Sequence, residues 1–103
     1  MSNGIECFNK EKIDKLKESL TSYEDDAKVY KALANEGRLK VLHLLAQENC
    51  CVCDLSQAMD SPVPTISQYL RILKHAKLVQ STKEGKFIIY ALTPQAQQLG
   101  IFK

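Results

Sequence analysis

Apolar residues recur along most of the chain with the three-to-four-residue spacing of α-helices. Across residues 13–20 they form a narrow stripe among charged neighbours, and Asn9 precedes the stripe as a suitable N-cap. A stripe of this kind predicts a helix that packs on its own core or serves a dimer interface. Residues 1–8 show no period, so we expect a mobile N-terminal arm, which carries Cys7.

Two more helices are predicted in the middle of the chain. The first covers about 27–33 and follows a polar break in which Asp25 or Asp26 is the expected cap. The second begins after Asn35, another residue type that favours N-caps. Its residues 39–46 are so apolar that we expect this helix to be buried.

A pair of short helices joined by a tight turn follows. Asp54 and Gln57 have the spacing of a capping box, which predicts a helix over 54–59 with Asp54 as its N-cap. Pro64 suits the first position of the next helix, where a missing N–H costs nothing. The apolar face of that helix consists of Ile66, Leu70 and Leu73.

Beyond residue 78 the apolar period shortens to about two, which is typical of strands. We predict strands at 78–82 and 87–92, with Gly85 supplying the positive φ of a tight hairpin. A last short helix is expected from Thr93-Pro94. The predicted fold is mainly α with a β-hairpin (α+β), a single winged helix–turn–helix domain over 9–103.

In such a fold the second helix of the pair enters the major groove of DNA, so we expect double-stranded DNA as a partner. The charge distribution agrees, because residues 61–103 hold six Lys/Arg and one acidic residue, against 8 Lys/Arg and 11 Asp/Glu in residues 1–60. A solvent-exposed helix face is the simpler explanation of the same polar residues. The candidate DNA-binding residues are Thr65, Ser67, Gln68, Tyr69, Arg71, Lys74, Lys83 and Lys86.

Three of the four cysteines, Cys50, Cys51 and Cys53, lie within four positions. No secretory signal and no membrane-spanning run is found, so we expect a cytoplasmic protein without a membrane partner. In a reducing compartment such cysteines are metal ligands or redox sensors more often than disulfides. Thiolates favour soft ions such as arsenite, antimonite, cadmium, lead, Cu(I) and zinc.

Four motifs, in this order, resemble the ArsR/SmtB family of metalloregulatory repressors. They are residues 32–39 (ALANEGRL), 51–55 (CVCDL), 64–70 (PTISQYL) and 85–90 (GKFIIY). The resemblance implies a homodimer that binds an operator when metal-free and releases it when metal binds. It also implies dimerisation through the first and last helices, which fits the stripe at 13–20 and the apolar 99–102. Tyr69 and Lys77 depart from the family pattern, which usually has His and often Gly at these positions.

Cys51 and Cys53 match the family's thiolate motif and are the expected core of a metal site. The arsenite-sensing branch often has a third Cys where this chain has Ser56, so Cys50 or Cys7 must complete the site. Arsenite and antimonite are the favoured inducers, with cadmium or lead, or zinc, next. Because residues two apart on a regular helix point to nearly opposite sides, we hypothesise that ligation distorts the helix start. No Asp, His or Glu follows Glu84, so the family's second, C-terminal zinc site is absent.

Three other functions compete with this interpretation. A repressor of the same fold could sense oxidants or persulfides through its clustered thiols. A structural zinc module is weaker, because a closed site needs four ligands. An enzyme is least favoured, since the chain has no Cys-x-x-Cys pair, no phosphate-binding loop and no evident acid partner for His43 or His75.

Overall fold

The computed structural model describes residues 9–100, so the expected arm with Cys7 and the apolar Ile101 and Phe102 lie outside the described residues. Six helices and one hairpin are present in this part of the chain. They are α1 (Lys10–Ser19), α2 (Glu24–Leu33), α3 (Glu36–Gln47), α4 (Val52–Met59), α5 (Val63–His75), β1 (Val79–Glu84), β2 (Phe87–Leu92) and α6 (Pro94–Leu99). None of these helices is long and apolar enough to cross a membrane. The predicted α+β winged helix–turn–helix architecture is confirmed.

The core is formed by one apolar face from each element except α1. The predicted face of α5 is fully confirmed, since Ile66, Leu70 and Leu73 are at most 2% exposed. From α3, Val41 and Leu42 enter the same cluster without any exposed surface. The ends of the hairpin strands and α6 close the core with Leu78, Val79, Leu92 and Ala96. This packing fixes the position of α5 relative to the hairpin.

Helix α1 stands apart from this core. It has no buried residue, and Leu16 and Leu20 are 54% and 75% exposed. The molecule accordingly measures 65 Å along its longest axis and 26 × 23 Å across. Of the two predicted roles of the stripe, packing on the chain's own core is therefore excluded for Leu16 and Leu20.

The hairpin is tighter than the sequence pattern indicates. The ladder runs from Val79–Leu92 to Glu84–Phe87, which leaves a loop of two residues where we predicted four. Gly85 opens the loop with φ +63°, the conformation predicted for it. The extra pairs bring the lysines of the hairpin tip onto or directly beside the strands.

Two predicted helix caps are confirmed. The side chains of Asn9 and Asn35 accept hydrogen bonds from the backbone N–H groups of Lys12 (3.0 Å) and Arg38 (2.9 Å).

The other caps differ from the prediction. Helix α2 begins at Glu24, so Asp25 and Asp26 lie in its first turn, where the helix dipole favours carboxylates. Helix α4 begins at Val52, so Asp54 is its third residue instead of its N-cap. Pro64 is the second residue of α5, because Val63 continues the helix one position further toward the N-terminus.

The end of α5 contains a strained residue. Lys77 has φ +64°, the left-handed conformation that glycine adopts most easily. The N–H of Lys77 donates to the carbonyl of Lys74, and the N–H of Leu78 donates to the carbonyl of Leu73, both at 3.0 Å. These two hydrogen bonds form a Schellman cap. Leu78 is thereby turned into the core. Lys77 occupies the place of the family's usual glycine and keeps its geometry.

We predict that Lys77→Gly raises the free energy of unfolding by about 1 kcal/mol over Lys77→Ala, because only glycine avoids the steric cost of a left-handed residue. Thermal denaturation at one fixed protomer concentration measures the difference. The alanine variant removes the same side chain and is the matched control. Equal stability of the two variants would contradict the prediction.

Candidate DNA interface and thiol site

The turn that joins α4 to α5 is stabilised by hydrogen bonds with a residue of α4. Asp60 ends α4 in a left-handed conformation (φ 50°), and the N–H of Ser61 donates to the carbonyl of Ser56 at 3.1 Å. The hydroxyl of Ser56 donates in return to the carbonyl of Ser61 at 2.6 Å. Ser56, which stands where the arsenite-sensing branch often has a third cysteine, therefore closes the turn of the helix pair.

The exposed face of α5 presents polar side chains opposite its buried face. Ser67, Gln68 and Arg71 are exposed, and Thr65 is half-buried at the edge of this face. The guanidinium of Arg71 donates to the side-chain oxygen of Gln68, so the two side chains are oriented together. Amide and guanidinium groups can pair with the edges of adenine and guanine in the major groove.

Tyr69 lies differently from the other candidates. It is half-buried and packs against the core, and its ring lies over Gly37 of α3. A Cβ at position 37 would come within 2.6 Å of the ring atom Cε2, so this contact requires a glycine. Tyr69 therefore joins α5 to α3.

The remaining candidates are lysines that border the hairpin. The ammonium group of Lys74 donates to the hydroxyl of Ser81 at 2.8 Å and ties α5 to β1. Lys83 and Lys86 are exposed at the hairpin tip. The ammonium group of Lys86 lies 5.7 Å from the centre of the Phe87 ring, within the range of a cation–π contact.

The cysteine run connects the helix pair to the hairpin. The N–H of Cys50 donates to the carbonyl of Tyr90 at 3.1 Å, and the N–H of Tyr90 donates to the carbonyl of Cys50 at 2.7 Å. This isolated antiparallel bridge adds one residue of the α3–α4 loop to the edge of β2. A single residue pair leaves no alternation in the sequence, so no pattern could have predicted it.

The thiol of Cys50 is hydrogen-bonded within its own loop. It is half-buried, packs against the core and donates to the carbonyl of Glu48 at 3.2 Å. Burial raises the pKa of this thiol, and the nearby charges of Asp54, Glu48 and Cys51 raise it further. This environment disfavours the thiolate form of Cys50, the form in which cysteine binds metal.

Cys51 and Cys53 lie on either side of the helix boundary. Cys51 is the N-cap of α4 with an extended backbone (φ −85°, ψ 172°), and its N–H donates to the Asp54 carboxylate at 3.0 Å. Cys53 is the second residue of α4 and is exposed. The premise that both thiols project from one regular helix is therefore wrong, and so is the argument that their spacing alone forces ligation to distort it. Residues 9–100 contain no cluster of three His, Cys, Asp or Glu side chains that could hold a metal ion.

Both histidines lie on the surface. His43 is exposed on α3, where its Nε2 lies 2.9 Å from the side-chain nitrogen of Gln47, and His75 is exposed at the end of α5.

Comparison with known sequences identifies the family. Residues 35–81 match the family described as "Bacterial regulatory protein, arsR family". The cadmium resistance transcriptional regulatory protein CadC of Listeria innocua is 35% identical over 89 residues, covering 84% of this chain and 75% of the relative. The arsenical resistance operon repressor of Escherichia coli K12 is 40% identical over 67 residues, covering 64% of this chain and 57% of the relative.

Solved structures agree with this assignment. A homodimeric winged helix–turn–helix DNA-binding domain from Mycobacterium bovis, a possible ArsR-family regulator, aligns with a TM-score of 0.72 at 31% identity, covering 79% of this chain and 81% of that one. HlyU of Vibrio cholerae aligns with a TM-score of 0.68 at 28% identity, covering 74% and 84%. The chain is thus a DNA-binding transcriptional repressor of the arsR family and not an enzyme.

Proposed function

We propose that this protein is a homodimeric repressor that releases its operator when a soft metal or metalloid binds thiolates at the start of α4. The observation that supports this most strongly is the position of Cys51 and Cys53. They are adjacent to Cys50, the residue that joins this loop to the hairpin. Relatives named for cadmium and arsenical resistance support the same chemistry.

For DNA binding, α5 enters the major groove with Ser67, Gln68 and Arg71 toward the bases. Lys83 and Lys86 of the hairpin contact the phosphate backbone. Thr65 lies at the margin of this surface. Two copies of α5 in a twofold dimer would read half-sites about one helical turn of DNA apart, or a multiple of it.

The dimer forms through the ends of the domain, residues 9–103. Helix α1 exposes Leu16 and Leu20 and buries no residue of its own, and α6 contributes Leu99, which is 37% exposed. Exposed leucines at helical spacing are stabilised when a second copy covers them.

Cys51 and Cys53 are the core ligands of the proposed site. Both residues lie at the start of α4, where Cys53 is exposed and Cys51 is half-buried, whereas the thiol of Cys50 donates to the carbonyl of Glu48. A trigonal site needs a third thiolate. Ser56 has no thiol, and its hydroxyl donates to the carbonyl of Ser61 in the turn. We therefore assign the third ligand to Cys7, from the same chain or from the partner, a thiolate set that suits arsenite, antimonite, cadmium and lead.

Ligation would act on DNA binding through the Cys50–Tyr90 bridge. An ion bound by both thiolates would draw Cys51, the N-cap of α4, toward Cys53 in the first turn, and the proposed switch is a movement of the Cys51 backbone on ligation. Cys50 is its immediate neighbour and shares two hydrogen bonds with β2. Displacing this bridge changes the position of the hairpin relative to α5.

Leu16→Asp should weaken dimerisation by roughly a hundredfold or more, because a twofold interface contains the substitution twice and each buried leucine contributes roughly 1.5–3 kcal/mol. Sedimentation equilibrium measures the dimer constant. Lys15→Asp, at an exposed position of α1 outside the apolar stripe, introduces the same side chain and should have a much smaller effect. An unchanged dimer constant in Leu16→Asp would place the interface elsewhere.

Cys51→Ser and Cys53→Ser should each lower affinity for the inducing ion by roughly a hundredfold or more, because even residues that merely orient ligands are worth about 10–100-fold. Fluorescence anisotropy of labelled operator, titrated with arsenite and with cadmium under reductant, follows DNA release. Cys7→Ser should also weaken release, and Cys50→Ser, the matched control within the same run, should respond like the wild type. A normal response of Cys51→Ser would refute the site.

Thiol redox or persulfide sensing is the second candidate, favoured by the exposure of Cys53 beside two further cysteines. It predicts release by peroxide or polysulfide and no release by arsenite or cadmium under reductant. The metal-sensing proposal predicts the opposite result.

A further inference from the structure

A cavity of about 550 Å³ lies between α2, the start of α3 and the second half of α5. Its floor is apolar and includes Ala32 and Ile72. Lys28 and Lys31 of α2 and Arg71 of α5 stand at its rim, and no acidic residue lines it. The composition of the rim favours an anion.

The rim cations have no ionic partner within residues 9–100. The one ion pair in this part of the chain joins Lys40 to Glu36 at 3.9 Å, away from the cavity. Lys28, Lys31 and Arg71 are exposed, so their like charges repel one another, and this repulsion is reduced by solvent and by the carboxylates in the first turn of α2. An anion in the cavity would remove this repulsion.

Arg38 also lines the cavity, but its guanidinium is hydrogen-bonded to the end of α2. Its Nε donates to the carbonyl of Ala32 at 2.7 Å and its Nη2 to that of Lys31 at 3.2 Å. These carbonyls end α2, so Arg38 caps that helix and holds its last turn against α3. This cap fixes the position of Lys31 relative to the start of α3.

The cavity is continuous with the DNA-reading face. Arg71 belongs to both, since it lines the cavity and donates to Gln68 on the exposed face of α5. On the other flank of α5, Lys74 contacts β1 of the hairpin. Cations therefore border α5 on two sides, from the hairpin and from α2.

We propose that Lys28 and Lys31 bind the DNA phosphate backbone beside the groove that α5 reads. Helix α2 would thereby act as a second clamp across α5 from the hairpin. This inference rests on the proposed DNA binding and assigns a new surface to it. Residues three apart on a helix lie on the same side, so both lysines can follow one strand of the backbone. The bond between Arg71 and Gln68 connects the phosphate contact to the base-reading side chains.

The test measures binding of the full-length protein to a duplex selected from random sequence, and to a scrambled duplex, at several salt concentrations. Each lost phosphate contact should make the slope of log K against log salt shallower by roughly 0.9, and so by roughly 1.8 for a dimer. Lys28→Ala and Lys31→Ala should each show this change, with the same fold loss of affinity on both duplexes. Lys40→Ala, which removes one exposed lysine outside the cavity, is the matched control and should keep the wild-type slope. Lys28→Arg and Lys31→Arg should restore it.

The proposal is overturned if the salt dependence of DNA binding in Lys28→Ala and Lys31→Ala has the same slope as in Lys40→Ala. A small soluble anion would then be the occupant of the cavity. A loss confined to the selected duplex would also overturn the proposal, since backbone contacts do not depend on sequence. Failure of the wild type to bind either duplex would instead refute the proposed function. Circular dichroism of each variant excludes unfolding as the cause.

Discussion

Two backbone hydrogen bonds between Cys50 and Tyr90 connect the cysteine run to the hairpin. They attach the loop before α4 to the strand that returns from the hairpin tip. The thiols of Cys51 and Cys53 follow directly, and α4 then leads through the turn closed by Ser56 into α5. A change in backbone at Cys51 can therefore act in two directions, on the hairpin through Cys50 and on α5 through α4.

The apolar pattern was sufficient for the fold because each element except α1 has one buried face. Ile66, Leu70 and Leu73 of α5 were placed correctly, and both hairpin strands were found, with a loop predicted two residues too long. Helix N-caps were harder to predict from the sequence, because a carboxylate is stabilised both at an N-cap and within the first turn of a helix. Asp54 illustrates this: its carboxylate accepts the N–H of Cys51, so the capping interaction exists with the two roles shifted by three residues.

Less of the candidate thiol site and its surroundings could be predicted from the sequence, because they depend on contacts between residues far apart along the chain. The bridge to Tyr90 and the cap that Arg38 gives to α2 have no local signature. Lys77, which follows α5, is a different case. It stands where the family pattern often has glycine and adopts the glycine conformation, because turning Leu78 into the core outweighs the local strain. The thiol motif indicated the candidate ligands, whereas the hydrogen bond from the Cys50 thiol to the carbonyl of Glu48 is visible only in the structure.

Amide hydrogen exchange of Cys50 and Tyr90, compared with and without a bound inducer, tests the coupling most directly. Both N–H groups are held in the bridge. Binding of arsenite or cadmium at Cys51 and Cys53, monitored by thiolate-to-metal absorbance, should accelerate the exchange of these two amides while those of the buried α5 core stay protected. Operator release with unchanged exchange at both amides would contradict a switch that acts through the bridge.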